Sequence, residues 1–329
     1  MEIAFVVRCA GGYGEVRIRD TGEVVVSSVS SPGWVVLDGI AFPTEGAAPP
    51  RPPRKDIAPL NTAKISDEGD GQLLLFHYTK ADTALNHILR DGRLRMGPYA
   101  NTNDPRESKD WLFALYCNTE IAPTGAALKV SNELTTELKK ECRLSCFSGE
   151  AVRDKTAAAP GLASTWGRAR MWDQYGDRHR GVVLSFRLTS LLRNAVAELS
   201  PRGKLFFGRV EYTDPREQRD LFAFAVDYDR WRSSSQEEYA ARHLDHYRDW
   251  LFFTKNSDWQ QEAEYRLLLH SFDPSESFIP IAGALIDVSI GDLFPEDRVL
   301  ECRTLAEALG ARVSRVTWRN GMAVRTPID

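Results

Sequence analysis

Short Val-rich apolar runs broken by turn signals dominate the first 42 residues of the chain, and stretches with helical spacing come only later. Ala4–Val7, Val24–Val26 and Trp34–Leu37 are separated by the turn signals Gly11-Gly12, Thr21-Gly22 and Ser31-Pro32-Gly33, a pattern that predicts a small β unit over residues 1–42. The stretch from Pro43 to Pro53 favours polyproline geometry and cannot build a core, so residues 43–70 read as a Pro-rich linker. A main domain over 71–329 opens with the apolar run Leu73–Phe76, a strand that delivers His77 to its end. A helix follows in which Ala84, Leu85, Ile88 and Leu89 share one face, with Asp82 as N-cap and Asp91-Gly92 as the stop. The next helix starts at Asn103-Asp104-Pro105-Arg106-Glu107. There Asp104 caps, Pro105 takes the first helical position, and Glu107 sits where a capping box needs it.

Strands are expected at Leu144–Phe147, Gly181–Phe186, Phe206–Tyr212 and Tyr265–Leu269, and helices at 129–140 and 235–253. Without a regular βαβ beat, an α+β architecture follows more naturally than a doubly wound sheet. No internal repeat, Gly-rich phosphate loop or Gly-x-Ser-x-Gly elbow interrupts the pattern.

Composition narrows the function classes. A chain of 329 residues with 43% hydrophobic residues can bury a large core, and a net charge of -4 argues against coating nucleic acid by bulk electrostatics. Five cysteines without paired spacing read as reduced thiols, and the Cys142/Cys146 pair matches only half of a zinc site. His243 and His246 stand three apart on a helix and could share a metal, although Tyr239, Tyr247 and Trp250 around them fit a half-buried helix surface. The first residues have no basic segment and too short an apolar run for a signal or a span, so the expectation is a cytoplasmic protein without a membrane partner.

Two segments carry candidate chemistry. Trp259-Gln-Gln-Glu262-Ala-Glu264-Tyr-Arg266 offers two carboxylates that one strand would place on one face, about 6.6 Å apart at roughly 3.3 Å per residue. The bland alternative is a solvent-facing Glu-x-Glu-x-Arg ladder opposite Ala263, Tyr265, Leu267 and Leu269. Gly167–Arg180 packs Arg168, Arg170, Arg178 and Arg180 with Trp172 and Tyr175, a mix suited to pyrophosphate or a nucleic-acid groove. A solvated helix with Trp172 and Tyr175 turned inward explains the same residues, and His179 then only orients a neighbouring loop.

Phe76-His77-Tyr78-Thr79, Asn103-Asp104-Pro105-Arg106-Glu107, Ser145-Cys146-Phe147-Ser148, Met171-Trp172-Asp-Gln-Tyr175 with His179-Arg-Gly181-Val, Val210-Glu-Tyr212, and Lys255 with Trp259, Glu262, Glu264 and Arg266 occur in this order. The ordered set, over roughly residues 73 to 291, resembles the bacterial domain of unknown function 2971 family, a label that states no activity. A second resemblance is more informative. His77-x-Thr79, a helix and Ile88-Leu89-x-x-Gly92-x-Leu94 are similar to the opening of the ADP-ribosyltransferase fold. That resemblance implies a mixed or antiparallel split sheet with flanking helices.

It also implies NAD as substrate, bound by His77 and Thr79 at the first strand, with Tyr175 on nicotinamide; Tyr78 beside them, and Arg168 and Arg170 of the arginine segment, complete the expected cofactor-binding residues. Glu264 and Glu262 take the late-strand catalytic positions. The sequence departs from the pattern at Tyr78, where polymerase-type relatives have Gly. It also lacks a full Ser-Thr-Ser motif, for which Ser164-Thr165 is a fragment, and Tyr99 and Tyr78 compete with Tyr175.

The resulting expectation is an NAD-dependent ADP-ribosyltransferase or NAD glycohydrolase, a bacterial toxin or phage-defence effector, with protein or nucleic acid as acceptor and the N-terminal β module for regulation or targeting. A carboxylate stabilises the oxocarbenium-like ribose formed when the glycosidic bond breaks. Two rivals stand beside it: a non-catalytic nucleic-acid or protein recognition module, and a magnesium-dependent nuclease using Asp104, Glu107, Glu262 and Glu264.

Overall fold

The computed structural model describes residues 3–9, 12–18, 24–27, 34–37, 40–43, 54–60, 65, 74–116, 125–149, 165–213 and 221–328. The turn at Thr21-Gly22, the Gly-Ala-Ala-Pro-Pro-Arg-Pro-Pro run and Ser164 lie outside them. The chain divides into two compact units. One comprises Met1–Lys55, Tyr99–Lys140 and Tyr212–Ser257; the other comprises Asp56–Pro98, Glu141–Glu211 and Asp258–Asp329.

The second unit is built on a ten-stranded mixed sheet. Its strands are β1 (Leu74–Thr79), β2 (Arg93–Pro98), β3 (Cys142–Gly149), β4 (Val182–Arg187), β5 (Lys204–Arg209), β6 (Glu264–His270), β7 (Ser277–Pro280), β8 (Leu285–Ile290), β9 (Arg312–Arg319) and β10 (Met322–Pro327). The order is β5-β6-β3-β1-β4-β8-β9-β10, with β2 bridging β3 and β7. Among the described pairings of this sheet only β8 and β9 run parallel, joined by the helix Val299–Ala308. The mixed α/β character follows the sequence pattern, and the strands expected at 144–147, 181–186 and 265–269 all form.

Strand alternation divides the sheet into two faces with different contents. Leu75, Leu184, Phe186, Leu267, Leu269 and Val288 share one core cluster. Helix Leu188–Leu199 buries Leu188, Leu191, Leu192, Ala195, Val196 and Leu199 in that same cluster, spaced three and four apart so that one helical stripe faces the sheet. Each of the leucine and valine side chains contributes about 1.5–3 kcal/mol on burial. Phe76, Tyr78, Val183 and Val316 form a smaller cluster on the opposite face with Met171 and Trp172. Within the stretch read as linker, Ile57 is fully buried against Gly208, and the Leu60 N–H donates to the Leu205 carbonyl at 2.8 Å.

The sheet is split beside β3. One edge of β3 pairs with β6 from Cys142 to Ser148. Its other edge pairs with β2 only at Leu144 and Arg143, and with β1 only at Gly149 and Ser148.

One helix start departs from expectation and one follows it. Lys80 is the N-cap of the first helix and Asp82 lies inside its first turn, where its carboxylate meets Arg298 at 2.6 Å. The apolar face is as read, with Ala84, Leu85, Ile88 and Leu89 buried along a π-helical turn, and Gly92 follows at φ 64°. Asp104 does cap the second helix, accepting from the Arg106 N–H at 2.9 Å ahead of Pro105.

In the first unit the backbone of the N-terminal residues forms the antiparallel sheet Ile3–Cys9, Gly12–Ile18 and Val24–Ser27, with Trp34–Leu37 paired to Ile40–Pro43. Gly12, read as part of a turn, opens a strand instead. The helices Ala126–Lys140 and Gln236–Phe252 pack together, the latter capped by Ser235, whose hydroxyl accepts from the Glu238 N–H at 3.1 Å. Trp111 sits among Tyr99, Phe113, Phe224 and Phe252 with ring centroids 5.7 to 6.4 Å away. Among the described residues no helix is long and apolar enough to cross a membrane.

Candidate functional site

The two acidic residues of Glu262-x-Glu264 do not share a strand. Glu262 ends a 3-10 turn, Ala263 adopts left-handed backbone at φ 43°, and β6 begins only at Glu264. The spacing of about 6.6 Å along a strand is therefore replaced by a bend between the two carboxylates. Nor do they form a solvent-facing ladder, because Glu262 and Glu264 are each 3% exposed and Arg266 is 0% exposed. Arg266 donates Nε–H to Glu264 Oε1 at 2.7 Å and Nη2–H to Oε2 at 3.2 Å, a bidentate charge pair.

The helix Ala169–Gln174 is fastened over that turn. Arg168 donates to the Gln261 carbonyl at 2.6 Å, and Arg170 donates to the Asp258 carbonyl at 3.3 Å while its guanidinium lies over the Trp259 ring. The segment's first two arginines thus hold backbone together. From the C-cap of the same helix, Tyr175 donates its hydroxyl hydrogen to Glu262 Oε1 at 2.7 Å. Trp172 is fully buried, donates its indole N–H to the Trp166 carbonyl at 2.7 Å, and meets Tyr78 edge-on at 5.5 Å. The Tyr78 hydroxyl donates to the Thr165 carbonyl, and burial pushes its pKa up, partly countered by the nearby Arg168.

Register separates the expected NAD residues. Glu264 stands opposite Ser148, and Ser148 stands opposite Phe76, so these three point to one face together with Arg266, Cys146 and Tyr78. His77 and Thr79 alternate to the other face, opposite Leu184 and Val182. The His77 ring fills the split beside β3: its Nδ1 is 2.9 Å from the Cys146 carbonyl and its ring centroid is 5.9 Å from Phe147. Burial lowers its basicity, partly offset by that carbonyl. The structure thus groups Tyr175, Glu262, Arg168 and Arg170 around one turn and Glu264 with Arg266 just beyond it, and it leaves His77 and Thr79 on the opposite face. Tyr99 is fully buried and donates to the Leu251 carbonyl at 2.8 Å, as a core residue does.

Among the described residues no three His, Cys, Asp or Glu side chains are grouped to hold a metal ion. His243 is buried with Nε2 2.9 Å from the Ala223 carbonyl, and Cys142 is buried with its thiol pushed well up by desolvation.

In the turn that follows Tyr175 the sequence reading gives His179 only the role of orienting a neighbouring loop. His179 lies between two indoles, stacked on Trp172 at 6.0 Å and edge-on to Trp318 at 5.5 Å. Trp318 lies beyond the range compared by motif, and no local pattern links it to His179.

No curated protein and no solved structure matches the chain. Residues 171–267, which carry the Trp172–Tyr175 helix end, His179 and the Glu262–Arg266 run, match the family model described as Protein of unknown function (DUF2971).

Proposed function

We propose that the chain cleaves the nicotinamide–ribose bond of NAD, as an ADP-ribosyltransferase or an NAD glycohydrolase. The observation that carries this reading is the buried carboxylate of Glu262, held at 2.7 Å by the Tyr175 hydroxyl and followed after one left-handed residue by the Glu264–Arg266 pair. In the reaction the bond between ribose C1′ and the nicotinamide nitrogen breaks, its electron pair leaves with nicotinamide, and positive charge develops on the ribose. A carboxylate already fixed in a water-poor setting stabilises that charge without reorganising. Glu262 takes this role, with Tyr175 orienting it. Glu264 supplies a second negative charge whose position Arg266 fixes. Water or an acceptor hydroxyl then attacks C1′ and passes its proton to a carboxylate.

The test is nicotinamide release from NAD by the full chain, read beside NAD affinity. Glu262→Gln keeps the Tyr175 hydrogen bond and deletes the charge, so release should drop about a hundred- to a thousand-fold with affinity little changed. Tyr175→Phe, at a half-exposed position, should lower the rate by a smaller factor. Absence of release by the wild type in the presence of cell lysate, or near-normal release by folded Glu262→Gln, would sink the proposal.

A further inference from the structure

Asp177, Arg178 and His179 run consecutively through left-handed backbone, at φ 49°, 53° and 67°. Side-chain-bearing residues tolerate that region only where the surroundings over-determine it, and such strain concentrates at functional sites. The surroundings here do so. The Gly181 N–H donates to the Gly176 carbonyl at 2.8 Å, the Gly291 N–H to the Gly181 carbonyl at 3.0 Å, and the Leu293 N–H to the His179 carbonyl at 3.0 Å. A Cβ on Gly181 would lie 2.2 Å from the Thr79 carbonyl oxygen, and one on Gly291 would lie 2.1 Å from that of His179.

This frame fixes the state of one imidazole. The Trp318 indole N–H lies 3.1 Å from His179 Nδ1. An indole nitrogen only donates, so Nδ1 accepts, and the proton of the neutral ring sits on Nε2. Nε2 has no partner among the described residues, nor do the guanidiniums of Arg178 and Arg180, both exposed. Arg168 and Arg170, by contrast, are tied to carbonyls.

We propose that the 177–180 turn binds a phosphate-bearing ligand, with Arg178 and Arg180 as charged forks and the His179 Nε2–H as a fixed neutral donor. Guanidinium forks match the oxygens of a phosphate in pairs, and a preset donor loses little freedom on binding. Asp177 is also exposed in this turn, which leaves it a single net positive charge. Recognition therefore depends on directed donors more than on bulk attraction. The inference stands on the turn's own geometry and holds whether or not the chain cleaves NAD.

Calorimetric titration of the full chain with inorganic pyrophosphate tests it, with acetate as the control anion. The wild type should bind pyrophosphate saturably at one site and acetate not at all. Arg178→Gln with Arg180→Gln should weaken binding about tenfold or more, as expected for losing charged hydrogen bonds. His179→Asn, a residue that tolerates left-handed backbone, should weaken it severalfold, and ligand should shift the Nε2 resonance of His179 in the wild type. No saturable binding at millimolar pyrophosphate, or a folded double-arginine variant that binds like the wild type, overturns the proposal. Nicotinamide release is measured separately, so binding without release leaves this inference standing while the NAD reading falls.

Discussion

Arg266 sits in the sheet with no exposed surface, and the carboxylate of Glu264 meets it at two points. Removing one member of such a pair strands the other's charge away from water, at a cost of about 3–5 kcal/mol, whereas replacing both by apolar groups is often neutral. Glu264→Gln should therefore cost stability in that range by urea denaturation, and Glu264→Gln with Arg266→Met should recover most of it. A single-variant cost under about 1 kcal/mol would mean that other groups already balance Arg266. Glu262 differs in kind. It accepts from the Tyr175 hydroxyl at 2.7 Å, a bond whose acceptor oxygen Glu262→Gln keeps. The two neighbouring carboxylates thereby meet different groups, a contrast that a Glu-x-Glu pattern merges: a guanidinium at Glu264 and a phenol hydroxyl at Glu262. Sequence spacing could not draw that distinction, because it turns on Ala263, an ordinary apolar residue whose φ of 43° ends one element and starts the next.

Elements are held in register by close backbone approaches that only glycine permits, and the obstacle at each glycine decides its tolerance. At Gly181 and Gly291 an added Cβ meets carbonyl oxygens, while at Gly149 it meets the Tyr265 ring at 2.1 Å. A ring can turn and a paired strand cannot shift. Gly181→Ala should thus destabilise by about 3 kcal/mol or more and disturb the His179 turn, with Gly149→Ala costing markedly less. Equal thermal shifts for the two variants would refute the distinction. Periodicity made the long elements legible: the 3.6-residue stripe of Ala84, Leu85, Ile88 and Leu89, the strands around Leu144 and Tyr265, and the helix beginning after Ser235. Position within the sheet was not legible. Leu285–Ile290, Arg312–Arg319 and Met322–Pro327 complete one side of it, yet their pairing is set by contacts far apart in sequence. The facing of His77 against Glu264 likewise depends on how β1 and β6 register through β3, a relation that neither motif encodes.

Across the whole molecule two buried histidines contribute to how stability responds to acid. Burial holds His243 near a pKa of about 4, against the 6.5 of an unstrained imidazole, with the Ala223 carbonyl partly opposing it. His77, in the other compact unit, is lowered for the same reason. Above pH 6.5 both folded and unfolded states carry a neutral ring, and this contribution to stability is complete. Below that pH the unfolded chain binds a proton that the folded state refuses, so stability is lost progressively down to about pH 4, after which His243 adds no further slope. At about 1.4 kcal/mol per pH unit the His243 contribution amounts to roughly 3 kcal/mol. Glutamine at 243 keeps a side-chain N–H for the Ala223 carbonyl without titrating. His243→Gln should be less stable than wild type at pH 7, through imperfect packing, and yet show a flatter decline in urea midpoint between pH 6.5 and 4. Parallel pH profiles for the variant and the wild type would show that the imidazole of His243 protonates in the folded chain as readily as in the unfolded one, and would remove burial as the source of the acid response.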